Sequence, residues 1–431
     1  MRRRTYLATA AATVGIAGCM GSGDSDEPDN ETNESETEEP TETEEPEETE
    51  EETEESEETE EEEEEEEEDG DGQPEHAGTF DDFEDLSRWT VVAGDLSADE
   101  SQSVVGSQSA LLEADESQTS VSIAREFDSP KDFSDVIPGI AATADEMVIP
   151  TIQLYDSSGD RIEFRRPVNA DLRFMRYNFG VTDVYGDPDL SDVTEIRVVL
   201  WTGEKSRQLW CDDFHFTPRP DTGKVMIQFD DTHDTDYTEG LSTLEEYGYT
   251  ATTFINPGRV GEDGRLSLEQ LEELQNAGWT VGNHSYSHPK LSTLSDAEQE
   301  AEIADAKQWL VDNGFEEGAE YFAYPFGDYD ATTLDLVEEH HEIGFAGGYS
   351  VQGYNTNSLL TTRIGDQDAE RARTVLDRTA EMRGISSFFF HRLEGEALSN
   401  FEATIEHLHE LEQAGDLEVI TPADLEETYR F

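Results

Sequence analysis

Two polar segments, 228–232 and 283–288, each follow a short apolar run in a stretch where such runs alternate with helical patterns. This alternation predicts parallel strands whose carboxyl ends meet at one edge of a sheet or barrel. Asp231, His284 and His288 would then lie at the same edge. One carboxylate and two imidazoles leave open positions on a divalent ion, so the pattern predicts a hydrolytic metal site.

Each segment also has a simpler interpretation. An Asp-Asp pair is common on an acidic surface, and two histidines four residues apart can belong to one solvated turn. The occurrence of both segments at strand ends favours a catalytic role. Asp230, beside the predicted ligand Asp231, would then take a proton from the attacking water.

The region from about Lys224 to the C terminus resembles the NodB-type polysaccharide deacetylases, carbohydrate esterase family 4, whose fold is an irregular (β/α) barrel. The first family motif, TFDDG, corresponds to residues 228–232, with Thr232 in place of glycine. The second motif, H-S/T-x-x-H, is matched in full by residues 284–288. The resemblance covers roughly half of the chain and implies this barrel fold, as does the βα alternation.

Two later family motifs are partly present. The third, R-x-P-Y/F-G, corresponds to residues 323–327, and the last, a histidine after an apolar strand, corresponds to His391. Ala323 replaces the family arginine that contacts the catalytic base. The fourth motif, with its Asp and Trp, has no clear equivalent, and Arg363 is a candidate substitute for one of the missing residues.

The resemblance implies a role for each matched residue. Asp231, His284 and His288 would bind a divalent metal ion, with Zn²⁺ expected first and Co²⁺ or Ni²⁺ as alternatives. Asp230 would be the catalytic base, and His391 would protonate the leaving amine.

The resemblance also implies contacts with the substrate. The backbone N–H of Phe326 would stabilise the developing oxyanion. Phe389 would line the acetyl pocket, and Tyr324 and Arg363 are further candidates for substrate or oxyanion contacts.

The N terminus predicts export. Residues 1–19 combine an arginine cluster with a short apolar run and a Gly-Cys junction, which is typical of a twin-arginine lipoprotein signal. Cys19 would be lipidated, so the only expected membrane contact is a lipid anchor. The alternative is a simple cleaved signal in which Cys19 has no such role.

Charge predicts the environment. The chain has 105 acidic and 27 basic residues, and residues 21–75 contain acidic side chains but no Lys or Arg. Residues 20–77 are therefore expected to be a disordered acidic tether. The charge argues against nucleic acid as a partner and favours the extracellular face of a cell in high salt, where screening is strong.

Residues 78–218 show short alternating runs separated by turn residues, which predicts a jelly-roll-like β-sandwich similar to carbohydrate-binding modules. The acidic pairs near its two ends predict a structural Ca²⁺ site formed by Asp81, Asp82 and Asp213, or else an acidic surface without an ion. Aromatic rings can stack on sugars, but tryptophans in apolar strand runs, such as Trp201, are expected in the core.

The sequence thus predicts two folded domains, the β-sandwich at 78–218 and a NodB-like barrel at 219–431. The expected function is metal-dependent hydrolysis of N-acetyl groups on an extracellular polysaccharide that contains N-acetylglucosamine, with O-acetyl groups as alternative targets. Two other hypotheses stay open at this point. One is a glycan-binding surface lipoprotein with weakened catalysis, and the other is a hydrolase of a small exported amide.

Overall fold

The computed structural model describes residues 73–431, which form one compact unit. The predicted signal, Cys19 and nearly all of the predicted tether lie outside the described residues. Within residues 73–431, the helices lack the combination of length and apolar character that a membrane span requires.

Antiparallel strands build the N-terminal part of the described chain. They form two six-stranded sheets, with orders β3-β4-β12-β6-β9, to which β1 is added beside β12, and β10-β8-β7-β11-β5-β2. The strands are β1 (Gly78–Asp81), β2 (Thr90–Ala93), β3 (Asp95–Asp99), β4 (Ser109–Ala114), β5 (Ser120–Lys131), β6 (Val136–Ala144), β7 (Thr151–Asp156), β8 (Arg161–Arg165), β9 (Met175–Asn178), β10 (Gly180–Tyr185), β11 (Val193–Trp201) and β12 (Arg207–Pro218).

Both sheets contribute to a single apolar core. Leu112 and Ile140 come from the first sheet, and Ile123 and Ile196 come from the second, and all four are buried in the same cluster. Side chains alternate between this core and the outer faces, as period-two strands require. This two-sheet region has the layered arrangement that the sandwich prediction requires, whereas its glycan ligand remains a prediction.

The predicted calcium ligands have other partners. Asp81 and Asp213 are buried, and each forms an ion pair with an arginine, Arg125 for Asp81 and Arg176 for Asp213. Asp82 instead accepts a hydrogen bond from a nearby backbone N–H in its own turn. The two guanidinium groups supply the positive charge that the prediction assigned to Ca²⁺, which corrects that prediction.

The tryptophans of this region differ in exposure. Trp89 is buried and stacks on Phe83, and the indole N–H of Trp210 donates to Asp99 at 2.7 Å. Trp201, at the end of β11, is 71% exposed. The expectation that Trp201 lies in the core is therefore wrong.

Parallel strands build the C-terminal part, with helices between them. The strands are β13 (Gly223–Asp230), β14 (Thr252–Ile255), β15 (Thr280–Asn283), β16 (Tyr321–Ala323), β17 (Ile343–Gly347), β18 (Thr361–Gly365), β19 (Ile385–Phe390) and β20 (Leu417–Val419). The helices are α1 (Ser242–Tyr247), α2 (Leu268–Asn276), α3 (Asp296–Asp312), α4 (Ala331–His340), α5 (Ala369–Met382), α6 (Glu396–Ala414) and α7 (Pro422–Thr428).

Strand β13 closes the ring. It pairs with β19 along most of its length and with β14 near its carboxyl end, so that β13 to β19 form a seven-stranded parallel barrel. Strand β20 pairs only with the first residues of β13. The predicted irregular (β/α) barrel is thus confirmed, and its closure brings the carboxyl ends of all seven strands to one rim.

Polar contacts join the two-sheet region to the barrel. Arg166 is completely buried between them and donates to the backbone oxygen of Leu360 at 2.9 Å. The side-chain amide of Asn178 donates to the backbone oxygen of Tyr354 at 2.8 Å. These buried contacts fix the barrel relative to the sheets.

Candidate active site

The predicted catalytic residues lie where barrel strands end. Asp230 is the last residue of β13, His284 directly follows β15, and His391 directly follows β19. Because the strands are parallel, these three positions share the rim of the barrel. The structure therefore brings together side chains that are far apart in the sequence.

Asp231, His284 and His288 form a cluster of potential metal ligands, with one ligand atom from each residue within 4.8 Å of the others. Nε2 of His288 lies 3.0 Å from Oδ1 of Asp231, and Nε2 of His284 lies 3.8 Å from the same oxygen. One carboxylate oxygen and two imidazole nitrogens suit Zn²⁺ and related divalent ions.

A hydrogen bond sets the orientation of the His284 ring. Its Nδ1 lies 2.7 Å from the backbone oxygen of Ala323, so Nδ1–H donates there and Nε2 keeps a lone pair for a metal ion. Burial lowers the pKa of His284 to about 4. The imidazole is therefore neutral near pH 7, which is the form that binds metals. Ala323, which replaces the family arginine, thus contributes through its backbone.

A strained turn places the ligand loop. Asp231 and Thr232 have positive φ angles of 75° and 62°, a conformation that costs free energy outside glycine. Thr232, where the family has glycine, accepts a hydrogen bond from the backbone N–H of Asn256 at 2.7 Å through its hydroxyl. The Asn256 side-chain amide in turn donates to the backbone oxygen of His284 at 2.5 Å. The hydroxyl that replaces glycine thus links the two ligand segments.

Asp230 is buried and paired with Arg363. The guanidinium donates to both carboxylate oxygens, at 2.8 and 2.7 Å. Burial alone would raise the pKa of Asp230, but the charge and hydrogen bonds of Arg363, together with the nearby histidines, outweigh it and hold the pKa below its ordinary value. Asp230 is therefore ionised and able to accept a proton.

His391 pairs with a carboxylate that the sequence did not identify. Nδ1 of His391 lies 2.5 Å from Oδ2 of Asp366, and the backbone N–H of His391 donates to the other oxygen at 3.2 Å. Asp366 directly follows β18. This contact orients the His391 ring at the rim.

A second carboxyl near the site was also missed. Asp236 is completely buried and accepts a hydrogen bond from the hydroxyl of Thr253 at 2.9 Å. Burial raises the pKa of Asp236 well above its ordinary value. Its uncharged form adds no further negative charge beside Asp230 and Asp231.

Two predicted aromatic contacts lie at the site. Phe326 has a φ of 58°, is 40% exposed and packs against His288, with ring centroids 4.4 Å apart. The ring of Phe389 lies 4.2 Å from the guanidinium carbon of Arg363 and 5.5 Å from the His391 ring. Both side chains therefore border the space between the acid and the metal ligands.

Tyr324 lies elsewhere. It is fully buried, and its hydroxyl donates to the backbone oxygen of Leu359 at 2.8 Å, on the side of the barrel that packs against the two-sheet region. A substrate at the rim cannot reach this side chain. The placement corrects the prediction that Tyr324 contacts the substrate.

Known proteins resemble the C-terminal part of the chain. Residues 217–342 match the family described as polysaccharide deacetylase. One relative is YxkH of Bacillus subtilis (strain 168), which is named as a polysaccharide deacetylase by inference. It is 32% identical over 172 residues, which cover 40% of this chain and 56% of the relative. The poly-beta-1,6-N-acetyl-D-glucosamine N-deacetylase of Staphylococcus aureus (strain MSSA476) is 27% identical over 158 residues, which cover 32% of this chain and 53% of the relative.

Among solved structures, the family 4 carbohydrate esterase from Streptomyces lividans is 21% identical with a TM-score of 0.34, covering 48% of this chain and 98% of the esterase. The chain spans about half the length of each of these two sequence relatives. The C-terminal part of the chain is thus similar in sequence to polysaccharide deacetylases.

Proposed function

We propose that the protein is a metal-dependent polysaccharide N-deacetylase. The observation that carries the proposal is the convergence at one barrel rim of an ionised buried base, a set of metal ligands and a carboxylate-bound histidine. Hydrolysis of an amide needs a base for water, stabilisation of the oxyanion and an acid for the leaving nitrogen. The site contains a candidate for each.

The residues divide the reaction between them. Asp230 takes a proton from the attacking water, while Arg363 keeps the carboxylate in place. Asp231, His284 and His288 would hold a divalent ion, which would supply Lewis-acid chemistry. The backbone N–H of Phe326 is the proposed hydrogen-bond donor to the developing oxyanion.

Proton return completes the reaction. The protonated form of His391 donates a proton from Nε2 to the leaving nitrogen, while the Asp366 carboxylate accepts a hydrogen bond from Nδ1–H and orients the ring. The water adds to the acetyl carbon, the C–N bond breaks, and acetate and a free amine on the sugar are the products.

The substrate we propose is an extracellular polymer containing N-acetylglucosamine. The Staphylococcus relative, named for action on such a polymer, supports this choice. The twin-arginine and Gly-Cys patterns support export and lipid anchoring through Cys19. The acidic tether would then hold the catalytic domain away from the cell surface in a high-salt medium.

Acetate release tests the proposal. The full chain, loaded with Zn²⁺ in molar salt, should release acetate from N-acetylglucosamine oligomers, whereas the Asp230→Asn variant should not. Loss of release on chelation, with recovery on adding Zn²⁺, Co²⁺ or Ni²⁺, would establish metal dependence. A lack of release by the metal-loaded chain from both N- and O-acetylated polymers would contradict the proposal.

The alternative of a glycan binder with weakened catalysis rested on Ala323 and on the missing fourth motif. Arg363 contacts the base although Ala323 replaces the family arginine, and Asp366 contacts His391 although the fourth motif is not recognisable. Both contacts serve catalysis and would be unnecessary in a binder. We therefore favour the hydrolase.

A further inference from the structure

The loop between β14 and α2 brings two arginines to the mouth of the active site. Nη1 of Arg265 donates to the backbone oxygen of Asp231 at 2.6 Å and lies 3.0 Å from Nδ1 of His233. Nη1 of Arg259 lies 3.9 Å from Oδ1 of Asp231. The Arg259 side chain is 27% exposed, so its guanidinium borders both the metal ligands and solvent.

Few carboxylates lie close enough to neutralise the charges of these two guanidinium groups. Within residues 73–431, Arg265 has no carboxylate at ion-pair distance, and the one carboxylate near Arg259 belongs to the candidate metal ligand Asp231. The other arginines at this rim are already paired, Arg363 with Asp230 and Arg392 with Glu394. Two such cations are notable in a chain whose net charge is −78.

The backbone holds Arg259 in this place. Its N–H donates to the backbone oxygen of Asn256 at 2.9 Å, and Asn256 is itself bound to Thr232 and His284. The same turn is also held at Gly258, whose N–H donates to the backbone oxygen of Tyr286 at 2.9 Å. Arg259 therefore has a defined position relative to the metal ligands.

We propose that Arg259 and Arg265 form a binding subsite for an anionic sugar, carboxylated or sulfated, that lies next to the N-acetylated sugar in the polymer. A guanidinium matches the geometry of a carboxylate or sulfate group with two parallel hydrogen bonds. Molar salt screens short, partly buried pairs of this kind less than it screens attraction between exposed charges over longer distances. This inference rests on the proposed deacetylase and specifies its substrate as an acidic polysaccharide.

A structural role for Arg259 predicts something different. If Arg259 only neutralised Asp231, its replacement would change metal affinity or stability, and it would affect binding of charged and neutral oligomers equally. Discrimination between matched oligomers therefore separates the two roles. Arg265 is less suitable for the first variant because it also holds the backbone of the Asp231 turn.

Binding to matched oligomers tests the subsite. The metal-loaded full chain is titrated calorimetrically in molar NaCl with a hyaluronan oligosaccharide, which alternates N-acetylglucosamine and glucuronic acid, and with its carboxyl-reduced form. A keratan sulfate oligosaccharide and its desulfated form are the second pair. The variants are Arg259→Gln, Arg259→Lys and a control, Arg371→Gln, which removes an exposed arginine of α5.

We expect at least one charged oligomer to bind about tenfold more tightly than its neutral partner, since a charge-assisted hydrogen bond contributes on this scale. Arg259→Gln should remove most of this ratio, Arg259→Lys should restore part of it, and Arg371→Gln should keep it. The pair that shows the ratio identifies the anionic group. Equal binding within both pairs, or a ratio that survives in Arg259→Gln, would overturn the subsite.

Acetate release from the same oligomers separates this inference from the proposed function. Release from charged and neutral oligomers with equal affinities would overturn the subsite alone. Discriminating binding without release from any oligomer would overturn the deacetylase and leave an anionic-glycan site in place.

Discussion

Arg363 donates from Nη1 to Oδ1 of Asp230 at 2.8 Å and from Nη2 to Oδ2 at 2.7 Å, and both side chains are buried. A buried carboxylate without a partner would be expensive and would take up a proton. The bidentate contact keeps Asp230 ionised and fixes the direction of its oxygens. Arg363 thus provides the contact with the base that Ala323 cannot make.

Replacement of Arg363 should impair the base. In Arg363→Met the pKa of Asp230 should rise, because the compensating charge is lost while burial remains. The acidic limb of the pH profile of kcat/KM should therefore move to higher pH, and kcat/KM at pH 7 should fall about 100-fold. The profile for acetate release, measured in molar salt, checks both effects.

A second variant distinguishes a change in the base from unfolding of the chain. Arg363→Lys keeps the charge without the bidentate geometry, so it should fold and recover part of the activity. An unmoved acidic limb in both variants, with the chain folded, would mean that Arg363 does not tune Asp230.

Asp366 should act through His391. Asp366→Asn removes the carboxylate that orients the imidazole, so kcat should fall about 10- to 100-fold while KM changes little. Steady-state kinetics on an N-acetylglucosamine oligomer gives both constants. The control is Asp128→Asn, which changes an exposed carboxylate on β5. An equal fall in both variants, or a change confined to KM, would argue against an orienting role.

The contacts that Arg363 and Asp366 make in the active site were not predicted from the sequence. The strand pattern predicts that the metal ligands share one rim with Asp230 and His391, because these residues lie at or shortly after the ends of apolar strands. Strand β18 was not predicted, because Thr361–Gly365 has one strongly apolar residue and a central arginine. Its burial comes from its neighbours in the closed barrel.

Two other differences have the same physical origin. Tyr324 lies in a matched motif, yet it is buried because the two-sheet region covers that side of the barrel, which no local pattern reveals. Asp81 and Asp213 were predicted to share an ion, but Arg125 and Arg176, distant in sequence, pair with them. Partners supplied by other strands decided both outcomes.

Metal binding should depend on both histidines and stabilise the chain. His288→Ala removes a ligand, and the affinity for Zn²⁺ should fall at least 100-fold. Calorimetric titration of the metal-free chain measures this affinity, and the Tm should rise with Zn²⁺ in the native chain but much less in the variant. His340→Ala, on α4 and remote from the ligand cluster, is the control. Equal affinities in the native chain and His288→Ala would contradict the assigned ligand set.

Stability should fall in mild acid because of a histidine far from the active site. His215 lies in β12 of the two-sheet region, fully buried, with Nδ1 2.8 Å from the backbone oxygen of Asp213. Burial lowers the pKa of His215 from 6.5 to about 4. The unfolded chain therefore binds the proton between pH 6.5 and 4 while the folded chain does not.

This difference in proton binding stabilises the folded state above pH 6.5, and the stabilisation is lost as the pH falls toward 4. Between pH 7 and 4.5 the native chain should lose about 2 kcal/mol more unfolding free energy than His215→Gln, which cannot take up this proton. Urea denaturation at constant molar salt gives both values. Because the carboxylates and the other histidines are common to both proteins, their titration cancels in the comparison. Parallel losses in the two proteins would show that His215 titrates normally in the folded state.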